Sequence, residues 1–467
     1  MTVFSLYVFV FIQLLRISIN DMIIGSDTLH IRKGKNKLNY DKAKVYLEEL
    51  SKYGSVLGLE AIGGLLEELG NPQDALKVVH IAGTNGKGSV LAYTSTILQT
   101  AGYRVGQYTS PCLRSKRELI QVDGAWIRPR DFAKLVETIK NAIARLKAQG
   151  KMVPTVFEVE TAMAFLYFQK KQCDIVVLET GMGGRDDATN IVKNTLVSVF
   201  TSIGLDHMDF LGETIEEIAE VKAGIMKPGS LVVSTRQDLR VVPVLEKAGK
   251  EMACPITFVD PLDIGIVEES YEAQRFLYKE KSYQIHMAGR HQLENACTAL
   301  EVIGALRKQG FRIRDEAVKA GLKKTMFFGR FTLLRKSPVF IIDGAHNEDG
   351  VKVLAENIKN YFPNQKMVFI VGVFQDKKYR EMAGDVLPLA SDIYTVTLPN
   401  LERSLSAEAL RDVLEEVQTE QNSQVRLLAS TSIKAAVRGA LETAGTTGVV
   451  IAFGSLSYLA AVADEVK

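Results

Sequence analysis

The chain has 467 residues, 46% of them hydrophobic and 24% charged, the profile of an ordinary soluble globular protein long enough for two or three domains. Its 57 basic and 55 acidic residues leave a net charge of only +2, so no basic excess points to a nucleic-acid partner. Cys112, Cys173, Cys254 and Cys297 are widely spaced with no C-x-x-C pair, which argues against a disulfide framework or zinc site and fits free thiols of a reducing compartment.

The chain opens on an apolar run, VFSLYVFVFIQLL (3–15), shorter than the about 17–25 residues that span a bilayer. No basic residue precedes it and no clear small-residue cleavage site follows, so it makes a poor signal peptide. Residues 1–36 are read as an over-extended start with Met22 as the initiator, rather than as a weak anchor, and the working protein as cytoplasmic.

From Tyr40 the pattern becomes regular. DKAKVYLEELSKYG and LEAIGGLLEELG carry helical apolar spacing and end at glycines. LKVVHIAG is a short apolar strand, KGSVLAYTSTILQTAG a helix closed by Gly102, and YRVGQYTS the next strand. CDIVVLETG, NTLVSVFTSIG, the helical ETIEEIAEVKAGIMKPG and the strand LVVSTR continue the alternation, which implies crossover connections and a mostly parallel sheet. A second series follows TMFFGRF (325–331), with strands in PVFIIDGAHN, KMVFIVGVF, DIYTVTLP and GVVIAFGS. The expected architecture is two α/β domains, residues 37–329 and 330–467, the first of phosphate-loop ATPase type and the second smaller and Rossmann-like.

Between the first long strand and its helix lies HIAGTNGKGSV (80–90). The pattern G-x-x-x-x-G-K-[ST] would need Gly at 81 and Ser or Thr at 88, where this chain has Ile81 and Gly88. The context still suits phosphate. Gly83, Gly86 and Gly88 let backbone N–H groups turn inward at a helix start, Lys87 adds a positive charge and Ser89 a hydroxyl. A tight turn with a solvated lysine is the bland alternative.

Glu179 ends the strand CDIVVLETG, at the edge where parallel sheets bind ligands. It is placed either to hold Mg²⁺ or to cap a neighbouring helix. GMGGRDDATN follows, putting Asp186, Asp187 and Asn190 on a glycine-rich loop that wraps a substrate or simply turns. Asp206 and His207 reach the same edge, where a histidine suits a metal ligand. Lys222 falls on a helix whose own pattern makes it a half-exposed surface lysine. In the second series Asp343 and His346 end one strand, and Gly454 and Ser455 another, suggesting a site in the cleft between domains. No G-x-G-x-x-G occurs, so the second domain is not a standard dinucleotide binder.

Taken in order, these stretches resemble the folylpolyglutamate synthases and dihydrofolate synthases of the Mur-ligase superfamily. The shared motifs are GTNGKGS (83–89), TSP with Glu118 eight residues after Ser110, FE-x-x-T (157–161) and LE-x-G-x-GGR-x-DATN (178–190). They continue with LDH (205–207), KAGI (222–225), GRHQ-x-x-N (289–295), GR (329–330), DGAHN (343–347), QDK (375–377) and GSLSYL (454–459). The resemblance implies that Thr84, Asn85, Gly86, Lys87, Gly88 and Ser89 cradle ATP, with Asn295, Arg330 and Asp343 as further ATP contacts. Ser110, Glu179 and His207 become Mg²⁺ ligands, and Lys222 matches a lysine carbamylated in relatives. Thr155, Asp186, Asp187 and Ala188 match the pterin-substrate site, and His346 and Ser455 the glutamate and acyl-phosphate site. Lys87, Lys222, His346 and Ser455 form the catalytic set.

The implied reaction joins L-glutamate to folates and to 7,8-dihydropteroate in a monomer that binds neither nucleic acid nor membrane. Folylpolyglutamate synthase activity alone is the alternative, and a Mur-type ligase of a UDP-linked precursor or a non-catalytic nucleotide binder are more distant ones. Cys112, Leu119, Val221, Thr332 and Lys378 depart from the family pattern at positions where His, Arg, Glu, Glu and an acid are usual. None is an implied metal or phosphate ligand.

Overall fold

The computed structural model describes residues 38–54 and 57–466, so the expectations for 1–36 lie outside the described residues. The first domain is built on an eight-stranded sheet. Its strands run Ala125–Trp126, Ile120–Val122, Val105–Tyr108, Ile175–Glu179, Val78–Ala82, Thr195–Phe200, Leu231–Ser234 and Ile256–Phe258 across the sheet. The last six pair in parallel, and the first two add an antiparallel edge.

The central strands read as unbroken apolar runs because both of their faces are covered. Val176 and Leu178 pack into one core with Phe132, Phe165 and Phe168, whereas Val177, Val79 and Ile81 pack into the other with Ile97 and Ile303. Each such buried side chain contributes roughly 1.5–3 kcal/mol, against about 0–1 kcal/mol for an exposed ion pair, so the sheet edge is a rigid platform.

The second domain repeats the plan on six strands, in the order Thr332–Lys336, Val339–Ile342, Val449–Phe453, Met367–Val371, Ala390–Thr395 and Arg426–Ala429. Only the first pairing is antiparallel. The two α/β domains and their mostly parallel sheets are those expected.

The three-stranded antiparallel sheet Ile264–Glu269, Gln274–Tyr278 and Lys281–Ile285 was not expected. It packs Phe276, Tyr278 and Ile285 against the first domain's core. Among the described residues no helix is long and apolar enough to cross a membrane.

Candidate active site between two sheet edges

The phosphate loop leaves the first sheet at Ala82 and enters the helix Lys87–Thr100 at Gly86. Gly86 has φ +92°, and a side chain there would collide with the Asn295 amide; one on Gly83 would overlap the Thr201 hydroxyl. The loop is anchored to the neighbouring strand's end. The N–H groups of Thr84 and Asn85 donate to the Ser202 carbonyl at 2.8 and 3.1 Å. The Thr84 hydroxyl donates to the Gly204 carbonyl and accepts from its N–H, each at 3.0 Å. Lys87 Nζ donates back to the carbonyls of Gly83 (3.0 Å) and Thr84 (3.3 Å).

Lys222, at the end of the helix Ile215–Ala223, is 4% exposed and donates to the same Gly83 carbonyl at 3.0 Å. This corrects its reading as a half-exposed surface lysine: the helix end turns it under the phosphate loop. Burial, then the nearby Lys87 charge, lower its pKa to about 7.

Glu179 pairs in register with Ile81, immediately before the loop. It is buried, and desolvation raises its pKa to about 7 against the opposing influence of Lys87, Arg330 and the Ser110 N–H. A buried carboxylate facing a serine and a phosphate loop suits a hard divalent cation, which would restore its charge. His207 sits in the left-handed region (φ +52°), half exposed, with Nε2 3.9 Å from Asp206. Desolvation lowers its pKa despite Asp206, with Lys377, Lys87 and Lys222 acting in the same downward sense. Its neutral imidazole is the form that can ligate a metal. Among the described residues no group of three or more His, Cys, Asp or Glu side chains forms a metal cluster; the expected ligand set has two such residues and a serine.

The second sheet's carboxyl edge is tied down more firmly. Asp343 accepts from the N–H groups of Phe331 and Ala345, each at 2.8 Å. Desolvation nevertheless raises its pKa, with Arg330 opposing. Arg330 follows Gly329, and its Nε is buried without a partner. His346 Nδ1 lies 2.8 Å from the Gly344 carbonyl, and burial brings its pKa down to about 4. Ser455 caps the helix Leu456–Glu465, accepting from the Ser457 N–H.

Two contacts carry one edge to the other. Asn347 Nδ2 donates to Asn85 Oδ1 at 3.4 Å, and Lys377 meets Asp206 at 3.2 Å with both side chains largely buried. Two cavities open beside them. One, of about 840 Å³, is lined by Asn85, Gly86, Ser89, Asn295, Arg330, Asp343 and His346. The other, of about 1240 Å³, is lined by Asp206, His207, Lys377, Arg236, Glu348 and Arg403.

Residues 81–303 match the Mur ligase middle domain, and residues 329–456 match the Mur ligase glutamate ligase domain. A Bacillus subtilis protein named dihydrofolate synthase/folylpolyglutamate synthase is 36% identical over 384 residues, covering 80% of this chain and 89% of its own. A Lacticaseibacillus casei folylpolyglutamate synthase is 31% identical over 402 residues, 84% of this chain and 93% of its own. The chain belongs to this family of Mur ligases. It is therefore an enzyme, an ATP-dependent ligase. The structure of Mycobacterium tuberculosis folylpolyglutamate synthase, complexed with ADP and AMPPCP, superposes with a TM-score of 0.81 at 29% identity, covering 92% of this chain and 98% of its own. That of Escherichia coli FolC, in complex with DHPP and ADP, gives 0.78 at 28% identity, covering 91% and 97%.

Within this synthase the expected site residues fall into three groups. The phosphate loop, Asn295, Arg330, Asp343 and His346 gather at the first cavity or directly beneath it, with Lys87 and Lys222 sharing the Gly83 carbonyl. Ser110 meets Glu179, and His207 opens onto the second cavity. Thr155, Asp186, Asp187, Ala188 and Ser455 line neither cavity.

Thr155 caps the helix Val156–Lys170, its hydroxyl accepting from the Glu158 N–H and its own N–H donating to Glu158 Oε2. Asp187 is buried, accepting from the Met182 N–H (2.8 Å) and from the N–H and hydroxyl of Thr189. Ala188 is buried beside it and Asp186 is exposed. The loop is pinned to the helix bearing Lys222, because the Arg185 N–H donates to Val221 and Asn190 Nδ2 to Gly224.

Reasoning on the sequence assigned no role to Gln292, whose amide joins Ser89 to Asn295, nor to Lys377. Their one signal was membership of the GRHQ-x-x-N and QDK motifs.

Proposed function

We propose that this ligase joins the amino group of L-glutamate to a carboxylate of two acceptors, 7,8-dihydropteroate and the γ-carboxylate of folates, with ATP as energy source. The observation that carries the reading is the meeting of a phosphate loop with Lys87, Glu179 and a second ligand-bearing sheet edge across one cleft. The names of the relatives, with the ADP, AMPPCP and DHPP bound in their structures, support it.

In the first step the acceptor carboxylate attacks the γ-phosphorus of ATP and ADP leaves, giving an acyl phosphate. The glutamate amine then adds to the acyl carbon, and the tetrahedral intermediate expels phosphate. Both partners of the first step are anions, so the site's main task is to neutralise charge. Lys87 exchanges its own loop's carbonyls for phosphate oxygens, and Arg330 brings a second cation from the other domain. Asn295, Asp343 and the loop residues 84–89 hold the nucleotide, while His346 and Ser455 serve the glutamate and acyl-phosphate side.

Ser110, Glu179 and His207 would hold Mg²⁺, which supplies Lewis-acid neutralisation of the transferring phosphoryl group when bound. Lys222, its pKa lowered to about 7, loses its proton in the neutral range and in that form takes up CO2 to become a carbamate. Thr155, Asp186, Asp187 and Ala188 would border the pterin. Residues 37–329 and 330–467 act as the two closing domains of a cytoplasmic monomer.

The test is ADP release with ATP, Mg²⁺ and L-glutamate, comparing dihydropteroate with tetrahydrofolate. Turnover with both acceptors is expected. Turnover with tetrahydrofolate alone would make the chain a folylpolyglutamate synthase only, and no turnover with either would overturn the proposal.

A further inference from the structure

His80 lies in the middle of the strand Val78–Ala82 that feeds the phosphate loop, and the ligase reading gives it no role. Side chains alternate along this strand. Val79 and Ile81 pack into one core, whereas Val78 and Ala82 pack with other clusters on the opposite face. His80 shares the face of Val78 and Ala82 and is fully buried, where an apolar side chain would serve packing as well. Burial pushes its pKa down to about 3, so the ring is neutral, and Nδ1 has no hydrogen-bond partner. A buried ring with one idle nitrogen costs stability, so the reason for it lies with the other nitrogen.

That nitrogen, Nε2, stands 2.8 Å from Thr189 Oγ1. The Thr189 hydroxyl donates its one proton to Asp187 Oδ1 at 2.5 Å. It can therefore only accept from His80, which fixes the ring as the Nε2–H tautomer. The same carboxylate also accepts from the N–H groups of Gly181, Met182 and Thr189. Asp187 is thus the hub around which the loop 181–190 is wound, and His80 ties that hub to the sheet. The other end of the loop is fastened to the same strand, because the Thr180 N–H donates to the Ile81 carbonyl at 3.0 Å. From His80 the chain reaches Gly83 in three residues, about 10 Å of extended backbone. One strand therefore carries both the phosphate loop and the two fastenings of the loop 181–190.

We propose that His80 is a positioning residue for the acceptor: through Thr189 and Asp187 it holds the loop 181–190 in register with the phosphate loop, so that the bound carboxylate meets the γ-phosphorus of ATP. It touches no substrate itself. The assignment rests on the reading above, in which residues 186–188 border the pterin and the phosphate loop holds the nucleotide. Its physical basis is alignment, since displacing one reactant by a fraction of an ångström is enough to slow its attack on the other.

The test is steady-state kinetics with ATP and acceptor varied separately, using tetrahydrofolate and dihydropteroate in turn. His80→Leu and Thr189→Val each cut the tie, one from the strand and one from the loop, so either alone suffices. Each should raise the KM for the acceptor by about 10-fold or more and leave the KM for ATP within about 2-fold. The double variant should be within about 3-fold of the worse single one, because both substitutions break one connection. His80→Gln, whose amide can donate to the same hydroxyl, and Thr189→Ser, which keeps the hydroxyl, should bring the acceptor KM back to within about 3-fold of the unaltered enzyme. A merely structural histidine would move both KM values alike or neither, and either result would overturn the assignment. Multiplying effects in the double variant, or a Thr189→Ser as impaired as Thr189→Val, would also overturn it. An unaltered enzyme that turned over neither acceptor would instead overturn the ligase reading, and this assignment with it.

Discussion

At the first sheet's carboxyl edge, Lys87 and Lys222 rest on backbone carbonyls and Glu179 faces one N–H, whereas at the second Asp343 is gripped by two N–H groups and Ser455 by a helix start. The difference separates two kinds of preparation. At the first edge desolvation moves Lys222 and Glu179 each to a pKa of about 7, and both are ready to exchange partners. Asp343 and Ser455 at the second edge are already committed, and so hold a shape. Substrate chemistry belongs to the first, positioning to the second.

Lys87→Ala should break the contrast most visibly. Turnover is expected to fall at least about 1000-fold. The circular dichroism spectrum and melting midpoint should stay unchanged, because the amine is bonded only to its own loop. A soluble variant with near-normal turnover would contradict the phosphate-loop assignment.

The pH–rate profile sharpens the same point. Lys222, lowered to about 7, must lose its proton before it can add CO2, and Glu179, raised to about 7, must lose its own before it can bind a cation. Both productive forms therefore disappear as pH falls through about 7. With bicarbonate held constant, kcat/KM should drop by more than about tenfold per pH unit below that value. Lys222→Gln should lower the rate and leave the shallower slope of Glu179 alone.

At the second edge the effect moves from turnover to stability. Asp343→Ala strands the N–H groups of Phe331 and Ala345, and should cost about 2–4 kcal/mol in urea denaturation. Asp343→Asn, which keeps one acceptor oxygen, should cost less. The smallest expected effect lies where the edges join. Desolvation opposes the charge on Asp206, yet His207 and Lys377 hold its pKa below the usual carboxylate value. Asp206→Asn should cost about 1–3 kcal/mol, because the recessed Lys377 then keeps only the more distant carboxylate of Asp376, at 3.8 Å. A denaturation midpoint unchanged by this substitution would show that the pair does not hold the domains together.

What was legible in the sequence is what is local. A glycine-rich turn after an apolar strand, or a carboxylate ending such a strand, carries its meaning within ten residues, and Glu179, His207 and Asp343 were placed at the right edges on that basis. The antiparallel sheet escaped because its hairpin turns through Lys279 and Glu280, both at positive φ, where Asn-Gly or Asp-Gly would have announced it. Lys222 was misjudged because a helix's own periodicity says nothing of a loop that folds over its end from 139 residues away. Thr155, matched to substrate, also has a capping role that Glu158, three positions on, makes evident. The pairing of Asp206 with Lys377 spans 171 residues, and no local pattern encodes it.

The Gly83 carbonyl accepts from two lysines at once, each at 3.0 Å, and this shared acceptor makes the two amines thermodynamically dependent on one another. Lys87 is the second-largest cause, after burial, that depresses Lys222. An anion that draws Lys87 away weakens that depression, and Lys222 then holds its proton more tightly. By reciprocity, a Lys222 that has lost its proton leaves the loop a poorer place for a negative ligand. Nucleotide binding should therefore be accompanied by proton exchange with the buffer, and the carbamate forms most readily before the nucleotide arrives: a sequence of events written into one oxygen atom.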